Sequence, residues 1–198
     1  MKTLKQIGVF SFKGGVGKTS TAYLLAMAAH DAGETVTLVD FDPQHSIAVA
    51  ASVNPPPFLV VRGNIESEEL EIPPATTLVI ADHPPGMNPE EITGVYDFLV
   101  IPFLPNALEL HPLSYALKDF KEAKNLLLVA NRYKEGERAS EDKTIQSIKS
   151  AFTFPILPLA PSSDIPEAIA AARPVRKSTA TENFAEISKF VLTHIRRK

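Results

Sequence analysis

The chain of 198 residues is 44% hydrophobic and 22% charged, ordinary globular chemistry with length for one sizeable core and not for two. It contains no cysteine, which excludes a disulfide framework, a thiolate metal site and an iron–sulfur cluster and fits a reducing, cytosolic setting. The net charge of −3 is unevenly placed: residues 1–131 sum to −7 and residues 132–198 to +4. That basic C-terminal third reads either as a surface facing a polyanion or as a solvated mixed face.

In chain order, the N-terminus runs directly into a strand over 6–12, so no signal peptide is expected. A helix is predicted over 18–32, a strand over 35–41, an acidic exposed connection over 62–74 and a strand over 77–82. A strand follows over 97–103, a helix over 107–123, a strand over 125–131 and a helix over 140–151. A last strand over 154–159 precedes helices over 164–172 and 180–196. The strands are nearly continuous in Val, Ile, Leu and Phe, as parallel strands covered on both faces are. Strand–helix alternation predicts an α/β fold, a mostly parallel sheet with helices on both faces and ligands at the carboxyl ends of the strands. No apolar run approaches the roughly 20 residues of a membrane span. The 17 prolines gather in turns such as "HPPG" at 83–86, no repeat interrupts the pattern, and one domain over 1–198 is expected.

The first strand ends in "FSFKGGVGKTS", residues 10–20. Its "GGVGKTS" obeys the phosphate-loop pattern G-x-x-x-x-G-K-[ST] except at the first position, where Phe12 replaces glycine. Gly14, Gly15 and Gly17, with the intervening Val16, let backbone N–H groups close around phosphate oxygens without Cβ clashes. Lys18 is placed to reach the β- and γ-phosphates and Thr19 to ligate Mg²⁺. Ser20 and the first helical turn add N–H donors and the positive end of the helix dipole. Lys13 is a second cation near the γ-phosphate, able to stabilise charge that develops on phosphoryl transfer.

"KGGVGKTS" resembles the deviant Walker A signature of the ParA/MinD superfamily of P-loop ATPases. The resemblance implies a P-loop NTPase-like fold and an ATP hydrolase using ATP and Mg²⁺. It also implies that Lys13 reaches across a nucleotide-sandwich homodimer to the partner's phosphates while Lys18 serves its own nucleotide. "TLVDFDPQHS" (37–46) ends the second strand in Asp40 and Asp42, whose i, i+2 spacing puts both carboxylates on one face of the strand. It is similar to the family's D-x-D-P-Q-G motif, which implies that Asp42 orients the attacking water and that Asp40 lies near Mg²⁺ and the dimer interface. His45 stands where the family has glycine, so the switch after Gln44 is expected to be less mobile or differently shaped. "TLVIADHPPGM" (77–87) looks like a Walker B strand and D-x-P-P-G switch, with Asp82 holding Mg²⁺ and Pro84, Pro85 and Gly86 forming a stiff turn with a hinge. His83, where the family has Thr, Cys or Ala, reads as an incidental histidine in a turn.

Later matches are weaker. "LVIPFLPNALEL" (99–110) is similar to a segment that contacts the dimer partner, "LLLVANR" (126–132) to a strand whose asparagine, here Asn131, reads adenine, and 157–175 to a late strand and base-packing loop. Three branches of the family compete. A ParA-type ATPase would bind non-specific DNA through basic residues such as Arg173, Arg176 and Lys177, which cluster around one helix end, and the "IRRK" stretch supplies Arg196, Arg197 and Lys198, since phosphate contacts need only such charges. It would segregate or position a plasmid, chromosome or protein cargo, with hydrolysis stimulated by a separate ParB-like or cargo-adaptor activator. It would be cytoplasmic, and nucleoid-associated when ATP-bound. A MinD-like membrane-cycling ATPase would need a detachable amphipathic C-terminal helix, whereas the stripe Phe184, Ile187, Val191 and Ile195 reads as a helix docked on its own core. A ligase would need room for a substrate between Asp42 and Asp82, and a reductase would need the missing cysteines.

Overall fold

The computed structural model describes residues 4–64, 71–92, 94–120, 123, 125–171, 173 and 175–196. Seven strands form one parallel sheet: β1 (Lys5–Ser11), β2 (Val36–Asp40), β3 (Leu59–Arg62), β4 (Leu78–Pro85), β5 (Phe98–Phe103), β6 (Leu126–Asn131) and β7 (Ile156–Leu159). Their order is β3-β2-β4-β1-β5-β6-β7. The helices are α1 (Lys18–Asp31), α2 (Ser46–Val53), α3 (Pro89–Ile92), α4 (Ala107–Ala116), α5 (Ala139–Ala151), α6 (Asp164–Ala170) and α7 (Thr179–Arg196). This is the expected α/β architecture.

Alternation along the central strands divides the core in two. Ile7, Val9, Leu38, Ile80 and Val100 face α1 and α7, while Phe10, Leu99, Ile101 and Leu128 face the layer of α4 and α5. The apolar side of α7 is docked as expected, with Phe184, Ile187, Val191, Leu192 and Ile195 buried. Removing side chains of this size from water stabilises by about 1.5–3 kcal/mol each. No helix among the described residues is long and apolar enough to cross a membrane.

Several boundaries differ from the sequence reading for identifiable reasons. α4 ends at Ala116 and gives way to a 3-10 turn over Leu117–Phe120, after Pro112 has removed one N–H from its ladder; residues 121 and 122 of the helix expected over 107–123 lie outside the described set, as do 65–70 of the acidic connection and residue 172. α2 and β3 were not expected at all. α2 lacks a side-chain cap at its own N-cap, His45, and β3 is only four residues with exposed ends. β4 continues three residues beyond Asp82, because β1 pairs with it as far as Pro85 and Gly86 donates its N–H to the Ser11 carbonyl. His83 is therefore a strand residue, not a turn residue.

Candidate nucleotide site

The carboxyl ends of β1, β2, β4 and β6 converge on the loop between β1 and α1. Gly17 is the N-cap of α1 with φ 95°, left-handed backbone that costs a residue with a Cβ roughly 1–2 kcal/mol. A Cβ there would also lie 2.1 Å from the Asn131 amide nitrogen, so two independent constraints require glycine. Asn131, at the end of β6, donates from Nδ2 to the Val16 carbonyl at 2.7 Å and accepts from the Arg132 N–H at 2.9 Å. Both polar atoms of this buried side chain are engaged by the chain itself. Asn131 braces the phosphate loop, and these contacts do not carry the expectation that it reads adenine.

Lys18 and Thr19 open α1 and face Asp82 of β4, with Asp42, just beyond β2, also near Lys18. Lys18 is 6% exposed, and burial lowers its pKa against the opposing pull of Asp82 and Asp42. The Thr19 hydroxyl donates to Asp82 Oδ2 at 2.9 Å, while Asp82 Oδ1 is buried with no partner. Burial raises the Asp82 pKa to about 7, helped by the nearby Asp40 and Asp42 and opposed by the Thr19 hydrogen bond and Lys18. A buried carboxylate with one orphaned oxygen, beside a hydroxyl, is a donor set that fits a hard cation.

Asp40 and Asp82 are register partners across β2 and β4. Asp40 is nonetheless occupied: Oδ2 accepts the N–H groups of Ile47 and Ala48 at 3.1 Å each, and Oδ1 accepts that of Asp42 at 3.2 Å. It caps α2 from six residues upstream, which is why that helix forms without a local cap. β2 ends at Asp40, so Asp42 does not share a strand face with it; Asp42 turns the chain by accepting the Gln44 N–H at 2.9 Å. His45 has φ 47°, the left-handed conformation that glycine adopts freely, and its Nδ1 lies 3.2 Å from the Asp40 carbonyl.

Lys13 is held within its own chain. Its ammonium contacts Glu109 Oε1 at 2.5 Å, with the Glu109 side chain 8% exposed and the lysine 59% exposed. Sequence reasoning missed Glu109, although a signal existed. Asn106 caps α4 by accepting the N–H groups of Leu108 and Glu109, which puts a glutamate at the third helical position as in a capping box.

The cations expected to face DNA divide. Arg173 pairs with Asp164 through two contacts, 2.6 and 3.2 Å, and approaches Glu167 at 3.7 Å. Arg173 and the Arg176 backbone N–H hold the Asp164 carboxyl down at about 2. Arg176 is exposed with its Nε 3.7 Å from Asp164 Oδ1, Lys177 is exposed, and Arg196 bonds Glu34 at 2.8 Å. Arg197 and Lys198 lie outside the described residues.

His83 is buried on the other side of β4. Its Nε2 bonds the Tyr96 hydroxyl at 2.5 Å, its ring stacks on Phe41, and its Nδ1 has no partner. Burial lowers its pKa to about 4, so the imidazole is neutral near pH 7.

Residues 7–175 match the profile of the CobQ/CobB/MinD/ParA nucleotide binding domain. The chain belongs to this family. Among solved structures it is similar to a plasmid partition protein from Borrelia burgdorferi, with 14% identity and a TM-score of 0.71 over 98% of this chain and 100% of that one. It is similar to a variant of McdA from Cyanothece in complex with ATP, at 16% identity and a TM-score of 0.71 over 98% of each chain. It is likewise similar to the MinD cell division protein of Aquifex aeolicus, at 14% identity and a TM-score of 0.72 over 96% and 97%. No curated protein sequence matches it. The fold is therefore that of the family's ParA/MinD ATPases, with the phosphate loop and the aspartates at its strand ends.

Proposed function

We propose that this chain is a ParA-type ATPase. It binds ATP with Mg²⁺, forms a homodimer around two nucleotides, binds DNA without sequence preference, and segregates or positions a cargo. A separate partner protein stimulates its hydrolysis. The observation that carries the reading is the meeting of Lys18 and Thr19 with Asp82, whose second oxygen is buried and unpartnered.

In this reading the loop over Gly14 to Ser20 cradles the phosphates, and Lys18 neutralises their charge. Thr19 and Asp82 would hold Mg²⁺, which when bound supplies positive charge at the phosphate oxygens. Asp40 acts one step back, by fixing α2 and the turn that presents Asp42. Asp42 orients the attacking water. Lys13 leaves Glu109 to meet the partner's phosphates. Arg176 and Lys177 contribute to the DNA face, and the docked α7 favours this surface over a membrane. ATP in the complex of McdA, a protein of the same fold, supports the choice of nucleotide.

Titration of the protein with ATP and Mg²⁺ tests the site. Wild type should bind in the micromolar range and Lys18→Ala should show no saturable binding. Retained micromolar affinity in that variant would remove the phosphate-loop reading.

A further inference from the structure

The carboxyl end of β2, with Phe41 just beyond it, meets β4 twice, on opposite faces of the sheet. On the face covered by α1, Asp40 lies beside Asp82, which is bonded to Thr19. On the other face, alternation brings Phe41 beside His83. Their rings are stacked 5.1 Å apart with an interplanar angle of 3°. Tyr96, just before β5, meets the far side of His83 with its ring at 73° and its hydroxyl on Nε2.

Space has been cleared for this strip at both ends. A Cβ at Gly63 would lie 2.4 Å from the Phe41 ring, and one at Gly8 would lie 2.6 Å from the Tyr96 ring. The strip thus runs from the end of β3, across β2 and β4, to β1. Space-filling alone does not account for a histidine in it. At 5% exposure with an unpartnered Nδ1, the imidazole is an expensive way to fill a volume that leucine would fill more cheaply. What a ring provides here is contact area with Phe41 on one side and with Tyr96 on the other.

Phe41 lies between Asp40 and Asp42, and its N–H donates to the Asp82 carbonyl at 2.9 Å. We infer that His83 is a positioning residue: clamped between Tyr96 and Phe41, its ring fixes the backbone at Phe41 and so the place of Asp42 relative to the phosphate loop. The inference rests on the ATPase reading for its effect on turnover, and not for its effect on the loop. The strip lies on the face away from Lys18 and Thr19. Loss of His83 should therefore slow the chemical step and leave nucleotide binding alone.

The test compares His83→Leu, which keeps the volume and removes the flat ring, with His83→Phe/Tyr96→Phe, which keeps all three rings and removes the polar atoms. His83→Leu should lower kcat for ATP about tenfold or more with KM within about twofold, the pattern of a misplaced reacting group. In the nucleotide-free protein, amides of residues 41–48 should exchange with solvent about tenfold faster. The double variant should return both readouts to within about threefold of wild type. Phe41→Leu breaks the same stack from its half-buried side and should reproduce both changes, which keeps the test open should His83→Leu not fold. Wild-type kcat and exchange in His83→Leu, or in Phe41→Leu in its place, would overturn the inference. So would a double variant as impaired as His83→Leu, since the role would then belong to the imidazole nitrogens. A wild-type protein that exchanges slowly at 41–48 and hydrolyses no ATP would count against the ATPase reading alone.

Discussion

Asp82 is the least compensated buried carboxyl of the site. Burial raises its pKa to about 7 and one of its oxygens has no partner, so the fold itself does not satisfy this group, which a cation would. Asp40, 0% exposed as well, is satisfied by three backbone N–H groups, so two aspartates in register differ in what they can still bind. Asp42 is different again: half-buried, outside the strand, and placed by a turn. Asp42→Ala should keep ATP affinity within a few-fold but slow single-turnover hydrolysis by about 10² or more, the scale of a lost proton-handling or water-orienting group. Unchanged hydrolysis would exclude Asp42 from that role.

At the scale of elements, the Lys13–Glu109 pair ties the phosphate loop to α4 within one chain. A lysine that must reach a second subunit has first to leave this glutamate. Glu109→Gln should therefore lower the ATP concentration needed for dimerisation by about two- to fivefold, the range of a part-exposed ion pair; sedimentation against ATP concentration reads it, and an unchanged midpoint would remove the tether. α7 makes a separate prediction. Ile187 is fully buried against the α1 side of the sheet, and Ile187→Ala should destabilise the fold by about 2–5 kcal/mol in denaturant unfolding. A change below about 0.5 kcal/mol, the size of a surface substitution, would mean that α7 is not docked.

The same elements show how far the residues themselves announced the structure. Six strands and the helices at 18–31 and 179–196 are legible because continuous apolar runs and a 3.6-residue stripe leave few alternatives. The phosphate loop and the aspartates of β2 and β4 are legible because few chemistries need that spacing. α2 was not, because its cap is the carboxylate of Asp40 in the preceding strand rather than a neighbouring Ser or Asn. The pairing of Glu109 and the place of His83 were not, because their partners, Lys13 and the pair Phe41 and Tyr96, lie on other elements that only the sheet order brings together.

For the whole molecule, the acidic first two thirds carry the phosphate loop and the strand-end aspartates, and the basic remainder carries the cations that the proposed function assigns to DNA. Internal pairing of Arg173 with Asp164 leaves Arg176 and Lys177 as the exposed cations of that stretch. Reversing both charges with Arg176→Glu and Lys177→Glu should weaken DNA binding uniformly across sequences and reduce its salt slope by roughly one per lost phosphate contact. Loss at one sequence only would point to base readout elsewhere.

The central claim is a nucleotide-switched DNA binder, and the most direct measurement is binding to non-specific DNA and to anionic liposomes with ATP, with ADP and without nucleotide. The account predicts DNA binding with ATP alone, falling steeply with salt, and no binding to liposomes. ATP-dependent liposome binding without DNA binding would contradict it, and would mean that α7 leaves its core to engage a membrane.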